Sequence, residues 1–143
     1  MQTRESGQGA RRFGLLMAEL VAKKMHWDMV NPGKSNECKT PHGLTVIKTA
    51  DIGNPKIGVT EKMLPRLFSV TLVKVLKDDS AEVLTSVRNK LPLKRLSSGK
   101  NAGHIQFFLI CAVEQRGQFI VRLSPEEVED VRERAGRPRR QHK

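Results

Sequence analysis

The chain has no tyrosine, one tryptophan and two cysteines in 143 residues, and no acidic residue between Glu82 and Glu114. Each scarcity excludes something. Two cysteines cannot build the multi-bridge framework of a small secreted domain, and their settings differ. Cys111 lies in the apolar run Phe107–Val113 and reads as a buried small hydrophobe, Cys38 as part of a polar loop. A reducing compartment follows, cytoplasmic or nuclear. The longest apolar stretch is about ten residues against the roughly twenty that a bilayer requires, so no transmembrane segment is expected. Arg11-Arg12 ahead of Phe13–Ala22 has the outline of a signal peptide, but Glu19 interrupts the apolar region and no small-residue cleavage site follows. With aromatic residues at 4%, the basic-Gly-aromatic signature of an RRM is missing, as are a zinc finger and a KH loop.

What is present is positive charge and aliphatic patterning. Lys and Arg number 26 against 15 Asp and Glu, a net charge of +11, and residues 61–100 hold the steepest excess, nine basic to four acidic. Hydrophobic residues make up 38%, in Val, Leu and Ile clusters, enough for a core in one domain of this length.

Residues 1–9 read as a loose arm, 10–136 as a single domain and 137–143 as a flexible basic tail. Phe13, Leu16, Met17, Leu20 and Val21 recur at helical spacing, which predicts a first helix over Ala10–Met25, docked on the core. Leu44–Thr49 reads as a strand, Asp51–Gly58 as turn or loop, and Leu67–Leu76 as an interior strand apolar on both faces. Asp79 with Glu82 three residues on predicts a capped second helix carrying Val83, Leu84, Val87 and Leu91, ended by Pro92. Leu93–Gly103 is then a basic connecting loop. His104–Val113 and Gln118–Leu123 read as a hairpin around Glu114-Gln115-Arg116-Gly117, and Ser124-Pro125-Glu126-Glu127 as the capping box of a third helix. The expected fold is α+β, a mainly antiparallel sheet of about four strands with three helices.

The chemistry of catalysis is not written in this chain. Gly33-Lys34-Ser35 fails as a phosphate loop because the required first glycine is Asp28, and Ser97-Ser98-Gly99-Lys100 is followed by Asn101. Cys38 and His42 have pair spacing for a metal, but His26, His104 and Cys111 supply no second pair, so no metal or cofactor is expected. Glu126, Glu127, Glu129, Asp130 and Glu133 complement Arg132 and Arg134 on the last helix as ordinary surface charge. A non-enzymatic protein without a small-molecule substrate is the expectation.

Concentrated cations attract polyanions, because each Lys or Arg that neutralises a phosphate releases condensed counterions. Arg88, Lys90, Lys94, Arg95 and Lys100 form one basic segment, and Arg137, Arg139, Arg140 and Lys143 a second. The expected partner is nucleic acid, RNA ahead of DNA, held by its phosphates and not by its bases. The alternative is an anionic membrane, met by the same loop with Phe13, Leu16 and Leu20 inserted. The strand–helix–basic loop–strand order from Phe68 to Val113 resembles the core of rhabdovirus matrix proteins over less than half the chain. That resemblance implies a viral structural protein that binds lipid and self-associates, and no residue roles are carried over from it. A protein-interaction adaptor is a third reading.

Overall fold

Helix α1 (Arg4–Met25) buries Phe13, Met17, Ala18, Val21 and Ala22, with Leu16 and Leu20 packed beside them. The computed structural model describes residues 4–52, 56–60, 63–87, 94–95, 104–108 and 118–136; for 4–8, 10, 56–60, 64, 94–95, 104–108 and 118 the description covers the backbone alone. The apolar stripe read from the sequence is thus the face that docks, each large side chain contributing roughly 1.5–3 kcal/mol. The helix starts at Arg4 and takes in most of the expected loose arm. It stops at His26, which adopts φ 59 while its N–H reaches Lys23 O and the Trp27 N–H reaches Ala22 O at 2.9 Å. This is a Schellman end with histidine where glycine is usual, and it turns Trp27 back toward the helix.

Six strands form one sheet curled into a half-barrel, in the order β1 (Asp28–Met29), β2 (Glu37–Thr40), β3 (Gly43–Ala50), β5 (Ser69–Val75), β6 (Ala81–Val87) and β9 (Gln118–Leu123). Neighbours run antiparallel except β3 and β5, which are parallel from Thr45↔Ser69 to Ala50↔Lys74. A parallel pair needs a long crossover. Here it passes through β4 (Lys56–Thr60) and the 3-10 turn Leu64–Arg66. Strand β4 belongs to a second sheet of three strands, in the order β4, β8 (His104–Phe108), β7 (Lys94–Arg95). Period-two alternation separates the large sheet's faces. Ile47, Val73 and Val83 meet α1 and α2 (Pro125–Arg134), while Val46, Val70, Leu72 and Leu84 form a cluster on the opposite face with Leu67.

The fold is α+β as expected, with two α-helices and more strands than four among the described residues. The expected second helix is strand β6, paired with β5 over all seven residues. Val83 and Val87 fit a helical stripe and a strand equally; Thr85 and the alternation of Ala81, Val83, Thr85 and Val87 decide for the strand. The supposed capping box is a hairpin turn. Asp79 N–H bonds to Leu76 O, Leu76 N–H to Ser80 O, and Asp79 takes φ 68, while Asp78 Oδ1 accepts from Ser80 N–H at 2.9 Å. An aspartate tolerates that left-handed position better than most residues. With a strand at 81–87, the order on which the matrix-protein resemblance rests is not that of the chain.

Of the expected hairpin between residues 104–113 and 118–123, the described residues 104–108 do not pair with 118–123. Strand β8 pairs with β4 and β7, and β9 completes the large sheet beside β6 with a bulge at Val83/Leu84. Both strands exist where expected, and β8 is central, but in the smaller sheet. Lys56–Gly58, expected in a loop, lies in β4. Residues 109–117, with Cys111, fall outside the described residues.

Helix α2 matches its sequence closely. Ser124 caps the Glu127 N–H, Glu127 returns a bond to the Ser124 N–H at 2.9 Å, and Pro125 opens the first turn. Arg132, expected on the surface, is 4% exposed. Its guanidinium bonds Asp51 at 2.6 and 3.0 Å and Asp79 at 3.0 to 3.3 Å, and stacks over the Phe13 ring at 4.7 Å. Hydrogen bonding to Asp51 holds its pKa above the ordinary value against the desolvation that burial imposes, with Asp79 adding to the effect.

Two outcomes test this packing. Arg132→Ala leaves two carboxylates without their cation and should lower unfolding free energy by about 3–5 kcal/mol in urea titrations, with Arg132→Lys recovering part; a loss below about 1 kcal/mol contradicts the clamp. The Glu127 carboxyl sits below its ordinary 4.5 because Lys24, at 2.6 Å, and the Ser124 N–H favour its anion. A depressed folded-state pKa adds stability that is fully present above 4.5 and is lost as pH falls through the folded value. Glu127→Gln should therefore flatten the dependence of stability on pH in that acid window.

Candidate binding cleft and basic segments

Where α1 ends, the concave face of the half-barrel is left partly open. A cleft of about 670 Å³ lies there, lined by Met25 at the end of α1 and Trp27 just after it, by Pro41 and His42 of the β2–β3 turn, by Phe68 just before β5 and Ser69 at its start, by Thr85 and Val87 of β6, and by Ile120 of β9. Its position follows from local chemistry. The Schellman end aims Trp27 inward. The two-residue turn Pro41-His42 is held by Thr40, whose Oγ1 donates to Gly43 O at 2.8 Å and accepts the His42 N–H at 3.1 Å.

Gly43 has φ 139, and a Cβ there would lie 2.8 Å from Phe68 Cβ. The glycine therefore lets the β3 backbone close against Phe68, whose own N–H bonds Leu44 O at 2.8 Å. Phe68 is 43% exposed, with its ring 5.9 Å from that of His42. The ring is thus an exposed aromatic face held from behind by the β3 backbone. Beneath the cleft, Thr71 Oγ1 donates to Thr85 Oγ1 at 3.3 Å and lies 2.8 Å from Thr45 Oγ1, a buried hydroxyl ladder in an otherwise aliphatic floor.

Cys38 is not in a polar loop. It lies buried in β2 with Sγ 3.2 Å from Met29 Sδ, and burial pushes its thiol up to about 11. At neutral pH it is a protonated hydrophobe and no nucleophile. Among the described residues no group of three His, Cys, Asp or Glu stands close enough to hold a metal, and no helix is long and apolar enough to cross a membrane. Phe13, offered for membrane insertion, is in the core.

Of the nine basic residues singled out from the sequence, Lys94 and Arg95 fall on described backbone. They form β7, at the edge of the small sheet against Ile105 and Gln106, and are strand instead of loop. Arg88, Lys90, Lys100, Arg137, Arg139, Arg140 and Lys143 lie outside the described residues. The residues that precede these segments in the chain are described. Residues 88–103 follow Val87, which lines the cleft beside Trp27. Residues 137–143 follow Gly136, next to the α2 end where Arg134 O accepts from Arg12 Nε. Arg12 and Met25 are about 20 Å apart along α1 at 1.5 Å per residue.

The body between those segments is compensated. Lys24 meets Glu127, Arg66 meets Glu37, Arg122 meets Glu82 and Arg132 meets Asp51 and Asp79. Asp78, Glu126, Glu129, Asp130 and Glu133 line an open acidic hollow along α2. The aromatic cleft was missed in the sequence because Trp27, His42 and Phe68 are far apart in the chain and follow no motif spacing; the lone signal was Phe68 beside a proline-containing turn. No protein-family model, curated protein or solved structure matches the chain.

Gly43→Ala would force a strained φ and push on Phe68, so it should cost about 1–3 kcal/mol in unfolding and shift the emission of Trp27. Unchanged stability and emission would remove Gly43 from the positioning of Phe68.

Proposed function

We propose that the protein is a non-enzymatic nucleic-acid binder, RNA before DNA, that grips the phosphate backbone with two basic segments. The observation that carries this reading is charge segregation. Residues 88–103 and 137–143 hold nine Lys or Arg and no acidic residue, nine of the net +11, while the rest of the chain is close to balance. The ion pairs of the body support it, since such pairs neutralise one another and leave the net charge to those segments. Lys94, Arg95 and Lys100 are central and the C-terminal arginines assist. The acidic hollow on α2 keeps the polyanion off that face by repulsion.

Affinity should fall steeply with salt, the slope scaling at about 0.7 per neutralised phosphate on a single strand and 0.9 on a duplex. Replacing Lys94, Arg95 and Lys100 by Gln together should make the slope shallower by about 2 to 3 in log–log form. An unchanged slope removes this segment from the account. Flotation with anionic vesicles, joined to no retention of nucleic acid, would replace it with the lipid reading.

A further inference from the structure

The cleft adds something that phosphate binding does not use. We propose that it receives an unpaired base of a single-stranded nucleic acid, with Trp27, His42 and Phe68 as stacking surfaces and the hydroxyls of Ser69 and Thr85 facing the base edge. The proposal rests on the nucleic-acid reading above and deepens it from phosphates alone to the single-stranded form.

Three aromatic rings from three separate elements line one cleft. Of the sequence's one Trp and five Phe, Trp27 and Phe68 line it, while Phe119, 50% exposed, lies under Arg122 instead. Phe13 is used up in the core under Arg132. A base can stack on any exposed ring face whatever its sequence, which gives affinity without base reading. The cleft's volume of about 670 Å³ falls within the roughly 300–1,000 Å³ typical of small-ligand sites.

Charge favours a base over an acyl chain or an apolar peptide. Val87, which precedes the acid-free basic segment in the sequence, is itself part of the lining. On the Phe68 side, Arg66 stands 56% exposed even while it meets Glu37 at 3.2 Å. An acyl chain would also cover the Ser69 hydroxyl with hydrocarbon, which costs free energy that a base's polar edge avoids.

Because Trp27 is the one tryptophan and there is no tyrosine, the intrinsic emission of the full chain reports on this cleft directly. The test is a titration with a short single-stranded RNA, with an abasic strand of equal length and charge, and with the corresponding duplex, followed by Trp27 emission and by the anisotropy of the labelled strand. The single strand should quench Trp27 saturably and bind on the order of tenfold tighter than the abasic strand. Phe68→Ala, a change at a largely exposed side chain, should lower affinity for the base-bearing strand on the order of tenfold while leaving abasic affinity and the salt slope unchanged. Equal binding of both strands with unaltered emission overturns the base site but leaves the phosphate reading standing. Absence of binding by every strand overturns both. Emission that responds to fatty-acid micelles and not to RNA overturns the base in favour of an apolar chain.

Discussion

The Arg132 guanidinium is surrounded by groups from four stretches of chain: Asp51 after β3, Asp79 in the β5–β6 turn, the Phe13 ring of α1, and α2 itself. A planar fork with five donors can serve two carboxylates and an aromatic face at once, and a lysine cannot. Burying such a group is not a cheap route to stability, since desolvation offsets much of the Coulomb attraction. Its effect is on specificity. Any arrangement that displaces α2 or α1 leaves two aspartates without their cation. The clamp therefore sets where both helices lie over the sheet, and so where α1 ends and the cleft begins.

From that constraint the charge layout follows. Acidic groups of the body are engaged by Lys24, Arg66, Arg122 and Arg132, and an acidic hollow occupies the outer side of α2. Net positive charge is concentrated by sequence in residues 88–103 and 137–143, which follow Val87 and Gly136. The proposed mode of action is a division of labour: mobile counterions are released along those segments, and aromatic surfaces near Val87 take up a base that a duplex would keep stacked.

The helices were legible because their signals are local. Phe13, Met17 and Val21 repeat at helical spacing, and Ser124-Pro125-Glu126-Glu127 writes a cap into four residues. Strand β5 was legible for the same reason, with apolar residues on both faces. Strand β6 was not, since Val83, Leu84 and Val87 satisfy two periods and the Asp79/Glu82 spacing imitates a capping box; pairing with β5, a non-local fact, decided it. The partners of β8 and β9 were misread for a related reason, since sequence neighbours usually pair and here the described residues 104–108 and 118–123 do not pair with each other. Arg132 looked like surface charge because its carboxylates are 81 and 53 residues away. Of the candidate site, the basic residues could be found by composition, whereas the cleft depends on a helix end, a turn and a strand entrance meeting in space.

The most direct measurement is ultraviolet cross-linking of a bound single-stranded RNA to the full chain, with the linked peptides identified by mass spectrometry. The account predicts links to the peptides holding Trp27 and Phe68 and to residues 88–103, and none to the acidic face of α2. Links concentrated on α2, or none near the cleft or the basic segments under conditions where RNA is bound, would contradict it.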